Sequence, residues 1–429
     1  MSWFSNSQVS QPEDVRFAVG AWALGFFVMV NLYVLPSHPR SPRVSDVVGL
    51  LLGIGSCFHL ARSGVSRSRF AISSMLLAFP ALWAIIGLVK NDVNTVVQSI
   101  RWGLALPWAW VLERGWLRKV FREAFMRGLF WGAGLNVLVL VMQAAGLDEL
   151  TRSLGLAALD EVAPSVHGRI RLSGVHGHPN ASMGVISLVI PAALALTLGM
   201  RRSQAWLIAA VGMLFVGSSF TLTRSPLLVS AFSLAIGLLL NLRYRKTLVS
   251  ALTIVVLGSL ALLTGGPPGG WERWLDASNV ANSLGRVATN VEAMKLLLLH
   301  PFGVGDSVRT AALGATHNAF LQVGLVFGLP FAIFLTTGLA FASLRSLRKE
   351  TRTIGMLAVH VFGLFLWEDH LNNPTFIVLS SWLLVSGLLS SRRSVTAAEG
   401  GLPEGSGDCS RMPRRRMQVH RDVTVVRWS

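Results

Sequence analysis

The chain has 429 residues, 52% of them hydrophobic and 14% charged, with a mean hydropathy of +0.55. That balance excludes a soluble globular domain, and the gathering of apolar residues into runs of about 17 to 25 points to a polytopic helical membrane protein. The net charge of +17 sits in short connectors and a tail, so it encodes orientation in a bilayer rather than nucleic-acid binding.

In chain order, apolar segments fall at about 17–35, 44–61, 70–89, 94–112, 120–146 and 178–199, then at 204–221, 225–242, 247–264, 317–343, 353–367 and 374–390. They predict an all-α fold of about twelve membrane-spanning helices. No small-residue cleavage site follows the first segment, which reads as a retained anchor. Of the two cysteines, Cys57 lies in an apolar run and Cys409 in the tail; neither disulfide framework nor zinc-ligand spacing follows.

Charge alternates between connectors. Arg62, Arg67 and Arg69 follow the second segment, Arg114, Arg118, Lys119 and Arg122 the fourth, and Arg201 and Arg202 the sixth. Arg243, Arg245 and Lys246 follow the eighth, Arg345, Arg348, Lys349 and Arg352 the tenth, and Arg392 and Arg393 the last. By the positive-inside rule these connectors and both termini are cytoplasmic. Residues 1–393 therefore read as one membrane-embedded domain with two long outward loops, about 147–177 and 265–316. Residues 394–429 read as a basic cytoplasmic tail with the composition of a disordered segment.

The second outward loop opens with a Gly/Pro hinge, Gly265-Gly266-Pro267-Pro268-Gly269-Gly270, followed by the interfacial residues Trp271 and Trp274. A helix over 283–300 is expected next, with Ser283 as N-cap and Pro301 as its stop, lying across the outer face. At the far end of the loop, His317-Asn318 opens the tenth segment. Its spacing to Gly324 and Gly328 predicts one continuous helical face, a titratable group above a small-residue packing seam. On spacing alone, a polar interface residue above an ordinary packing face fits as well.

Cations on the outward side are not explained by the positive-inside rule. They are Arg169, Arg171, Arg224, Arg286 and Arg309. Arg224 and Arg286 fall near predicted helix N-termini, where guanidinium groups and helix amides together suit phosphate oxygens. Pairing with Glu272, Asp276 or Glu292, or snorkelling to headgroups, is the alternative. Arg169 and Arg171 could also meet phosphate, and Asn180 a sugar, whereas His176 and His178 suit a structural turn. His317, at a helix N-terminus, is held neutral and able to accept a proton. Asp369, within Glu368-Asp369-His370, could orient His317 or bind polar substrate. No P-loop, Asp-x-Asp metal motif, paired-carboxylate signature or serine-hydrolase elbow occurs.

These residues resemble the O-antigen ligase family, within the O-antigen ligase and Wzy-polymerase superfamily of bacterial envelopes. The family pattern His-[Asn/Ser/Gln], nine residues, Gly, two residues, then Gly, Thr or Tyr is matched by His317-Asn318, Gly328 and Leu329-Pro330, departing only at Phe331. His300-Pro301-Phe302-Gly303-Val304-Gly305 resembles the HPxxGxG run, and Gly285-Arg286 the arginine that precedes it. Thr221-Leu222-Thr223-Arg224 resembles the Thr-x-Ser-Arg turn with Thr223 in place of serine; Arg171-Leu172-Ser173-Gly174 with Pro179-Asn180 resembles the segment leading into a membrane helix. The similarity covers about residues 169–345.

The resemblance implies a GT-C-like glycosyltransferase architecture in the bacterial inner membrane, with the site on the periplasmic face. It implies metal-independent, inverting transfer of O-antigen polysaccharide from undecaprenyl diphosphate to a sugar hydroxyl of lipid A–core oligosaccharide. His317 would act as general base and Arg224 and Arg286 would hold the diphosphate, with Arg171, Arg169, Asn180, Asn318, Arg309 and Asp369 around the substrates. Both substrates are lipids and would enter sideways from the outer leaflet. The polymerase and the protein O-oligosaccharyltransferase share this architecture; a lipid or sugar transporter is the non-enzymatic rival, although no paired discontinuous helices are evident.

Overall fold

The computed structural model describes residues 12–30, 32–34, 42–63, 67–116, 118–156, 165–166, 169–199, 204–223, 225–240, 245–264, 277–313, 318–347, 352–367 and 373–399. These residues are almost entirely helical. The helices are α1 (Pro12–Met29), α2 (Val44–Ser63), α3 (Arg67–Val89), α4 (Val93–Gly115), α5 (Lys119–Ala144), α6 (Asp148–Ser153), α7 (Pro179–Ser187), α8 (Val189–Gly199) and α9 (Gln204–Thr221). There follow α10 (Ser225–Leu240), α11 (Arg245–Thr264), α12 (Ala277–Leu299), α13 (Asp306–Leu313), α14 (Ala319–Phe327), α15 (Leu329–Ser346), α16 (Arg352–Trp367) and α17 (Pro374–Glu399). Among the described residues there are also a two-residue antiparallel pair, Ser165–Val166 with Arg169–Ile170, and a short 3-10 turn, Gly174–His176. Among the described residues, four stretches are long and apolar enough to cross a membrane: Phe70–Val89, Lys119–Ala144, Pro179–Thr197 and Gln204–Thr221. Shorter apolar helices accompany them.

Residues up to 390 form one compact unit. Residues 391–429 separate from it, and their described part is the end of α17 as far as Glu399. The Gly/Pro hinge, Trp271, Trp274 and the tail from residue 400 lie outside the described residues.

Small residues set a close crossing of α1 and α5. A Cβ on Gly25 would run into the Phe125 carbonyl, and one on Gly128 into the Trp22 carbonyl. The backbones of α1 and α5 therefore touch, a contact that small side chains permit where lipid gives no hydrophobic drive to association. Deeper in the bundle, the fully buried His360 of α16 bonds Ser187 of α7 at 2.9 Å and Ser233 of α10 at 2.8 Å. That polar bridge ties three apolar helices together.

Three expectations about continuity need correction. The sixth apolar segment divides at Leu188, three residues before Pro191, which can give no amide to the helical ladder. The loop helix begins at Ala277, not Ser283, so Ser283 is an interior residue of α12 rather than its cap. The tenth segment is not one helix. Gly328 sits at φ +101° and ψ 155°, a conformation essentially restricted to glycine, and ends α14 before Pro330 starts α15 afresh. Gly328 is therefore the cap that ends α14 rather than a member of the continuous helical face expected from the spacing; His317 lies outside the described residues.

Candidate functional site

The first cluster forms where the segment before α7 meets the α9–α10 turn. Gly177, at φ 73°, turns the chain after a short 3-10 turn over Gly174–His176. His178 then caps α7, its Nδ1 accepting the Asn180 amide at 3.3 Å, with Pro179 at the first helical position. Although His178 keeps an exposed surface, desolvation by the chain packed around its ring, and then the charge of Arg171, hold it below its ordinary pKa, which keeps Nδ1 free to accept.

Arg171 is the centre of this cluster. Its Nε donates to the Thr221 carbonyl at 2.8 Å, and its Nη2 to Asn180 Oδ1 at 2.6 Å and Thr223 Oγ1 at 2.8 Å. Thr223 Oγ1 also donates to Asn180 Oδ1 at 3.1 Å. Two segments resembling separate family motifs are thus joined through one guanidinium. Thr223 immediately precedes Arg224, which lies outside the described residues. Arg171 and Asn180, expected at phosphate and sugar, hold each other and the turn that leads to Arg224. Arg169 pairs through its backbone with Val166, and its side chain is outside the described residues.

The second cluster is built on α12, α13 and α14. Ala293 and Leu297 of α12 bury against Leu325 of α14, and a Cβ on Gly324 would stand 2.8 Å from Leu297. Arg286 precedes Ala293 by seven residues and Leu297 by eleven, so it extends the docked face of α12 by about two turns. It is exposed there. Beyond α12, the Pro301–Gly305 turn closes over the α14–α15 break. Val304 donates to the Leu325 carbonyl at 2.6 Å, and Leu329 to the Pro301 carbonyl at 2.7 Å. Trp83 of α3 donates its indole N–H to the Phe302 carbonyl at 3.1 Å. The chain uses the freed backbone groups of the break to seat this turn.

Asn318 caps α14: its Oδ1 accepts the Leu321 amide at 3.0 Å, and its Nδ2 donates to the Leu366 carbonyl at 3.4 Å. His317, one residue earlier, and Asp369 lie outside the described residues. Arg309 is buried on α13. It is 4% exposed and ion-paired with Asp306 at 2.8 Å, which makes it part of the internal scaffold of α13. Sequence reasoning missed Asp92 and Thr95, which hold α13 from the start of α4. The Asp-x-x-Thr spacing signals a helix cap, but nothing local in it points to Ser307.

The fold and clusters thus describe a helical membrane-type bundle in which α12 and α13 are joined to the neighbouring helices through glycine turns and caps. No protein-family model and no curated protein sequence matches the chain.

Proposed function

We propose that this chain is an O-antigen ligase of the bacterial inner membrane. In this reading it has twelve spans, both termini in the cytoplasm, a GT-C-like architecture and a periplasmic site. The observation that carries the reading is the docking of α12 on α14. It sets the helix bearing Arg286 beside the helix whose N-terminus follows His317, and it seats the Pro301–Gly305 turn on the Gly328 break. Residues that match scattered parts of one family pattern are mechanically joined.

In the reaction, the acceptor hydroxyl oxygen attacks the anomeric carbon of the lipid-linked polysaccharide. His317 takes the hydroxyl proton as the new carbon–oxygen bond forms. The bond between the anomeric carbon and the diphosphate oxygen breaks on the opposite side, inverting the configuration. The electron pair leaves with undecaprenyl diphosphate, whose growing negative charge Arg224 and Arg286 stabilise. Arg171 and Asn180 contribute by fixing the turn that presents Arg224, and Asn318 by capping the helix beneath the base.

Purified protein with lipid-linked polymer and lipid A–core, assayed with and without chelator, tests this. Transfer that survives chelation and is lost in His317→Ala supports the reading. Core carrying a single repeat that then lengthens would indicate a polymerase, glycosylated protein an O-oligosaccharyltransferase. Normal transfer by a folded His317→Ala variant removes His317 from its role.

A further inference from the structure

The reaction above makes no use of Asp92, a carboxylate at the start of α4. Its Oδ1 accepts the Thr95 amide at 3.0 Å and the Ser307 hydroxyl at 2.6 Å. Its Oδ2 accepts the Thr95 hydroxyl at 2.6 Å and the Ser307 amide at 3.2 Å. Thr95 Oγ1 in turn accepts the Asp306 amide at 2.7 Å. One carboxylate and one hydroxyl therefore cap the first turns of both α4 and α13, which are more than 200 residues apart in sequence. The approach requires Gly305: at φ +89° its Cβ would stand 3.1 Å from both Asp92 Oδ2 and Thr95 Oγ1. Burial raises the Asp92 pKa, but the bonds from Ser307 and Thr95 outweigh it and hold the carboxyl below its ordinary value.

Among the described residues, apolar packing contributes little to α13. Its two buried residues, Asp306 and Arg309, are both charged and pair with each other. Leu313 is only partly buried against the small α12–α14 cluster. A helix with no fully buried apolar residue draws little stability from packing, so its caps contribute strongly to its place. Its last residue, Leu313, stands four positions before His317.

We propose that Asp92 and Thr95 are positioning residues for the base: their shared cap fixes α13, the helix that ends at Leu313, four positions before His317 in the chain. This rests on His317 being the base. Displacing a general base by about an ångström costs on the order of 100-fold in rate while leaving donor binding to the arginines intact.

The full chain in detergent tests this with Thr95→Val, which removes the bridging hydroxyl, and Thr95→Ser, which keeps it. Two readouts are taken: hydrogen exchange of the 306–313 amides, and kcat and KM for the lipid-linked donor. Thr95→Val is expected to speed exchange in α13 and lower kcat about 10- to 100-fold with KM for the donor unchanged; Thr95→Ser restores both. Unchanged exchange in folded Thr95→Val overturns the shared cap, and faster exchange with full kcat overturns the positioning role. Absence of transfer by the wild-type protein removes the base, and the role with it, and is distinguishable because exchange is read separately. Should Thr95→Val fail to fold, Ser307→Ala weakens the same junction without touching the cap of α4, and the same outcomes apply.

Discussion

Gly303 and Gly328 meet backbone to backbone: a Cβ on Gly303 would lie 2.8 Å from the Gly328 nitrogen, and one on Gly328 3.0 Å from the Phe302 carbonyl. Both also have positive φ, +92° and +101°. Each is therefore fixed twice, by conformation and by lack of space.

Gly303→Ala and Gly328→Ala should each destabilise the chain by about 1–3 kcal/mol, the usual range for side chains forced into such backbone regions. Combined, they should cost less than the sum, since the first already breaks the contact that the second would lose. Gly20→Ala, where a Cβ meets nothing within 4 Å, is the control and should be neutral or slightly stabilising. Melting temperatures in detergent check all four. Neutral single variants would mean that the turn does not close over the break.

The cap of α7 should make stability sensitive to acid. His178 has a folded pKa below its ordinary 6.5, by desolvation first and the Arg171 charge second. The sign follows from linkage: as pH falls through 6.5 the unfolded chain takes up a proton that the folded chain refuses. The stabilisation is present above 6.5 and is lost as pH falls towards the folded value. Protonated Nδ1 also loses its lone pair for the Asn180 amide. His178→Asn keeps an acceptor at the cap without titrating. Its melting temperature relative to wild type should therefore rise on going from pH 7.5 to 5. A pH-independent difference would show that this ring does not carry the effect.

Much of the helix pattern could be read from hydropathy because an apolar run and a helix share their ends when capping residues bracket them. Asp92 before α4 and Asn318 before α14 are such brackets. The break at Gly328 stays hidden in hydropathy because the apolar run passes straight through it; its trace is the local Gly328-Leu329-Pro330 chemistry. Arg309 reads as an outward cation when charge is assigned by side of the membrane, whereas Asp306, with which it pairs, lies one turn earlier on the same short helix. For Arg171, the sequence shows the donor but not that its acceptors come from Asn180 and the distant Thr221–Thr223 turn. Pairings of that separation are set by how the helices pack, which local pattern does not encode.

The free face of α12 should be immersed in lipid. Val287, Val291, Met294 and Leu298 follow the i, i+4, i+7, i+11 spacing of a single stripe, and each is 44–65% exposed. The docked face, with Ala293 and Leu297, is elsewhere on the helix, and the exposed Glu292–Lys295 pair at 2.7 Å marks a separate polar face. Phe302, 76% exposed, continues the apolar surface towards α3 through the Trp83 bond, and α3 exposes Ile85, Leu88 and Val89 on a membrane-length helix. A stripe this large facing water would be unfavourable; joined through the following turn to a membrane-length helix, it suits an amphipathic helix lying in the interface. Nitroxide labels placed one at a time at Val291, Met294 and Leu298 in proteoliposomes should be more accessible to oxygen than to a water-soluble nickel chelate. Labels at Glu292 and Lys295 should show the reverse. If all five positions favour the nickel chelate, α12 stands clear of the bilayer, and Arg286 then meets phosphate only on a donor lifted out of the membrane surface.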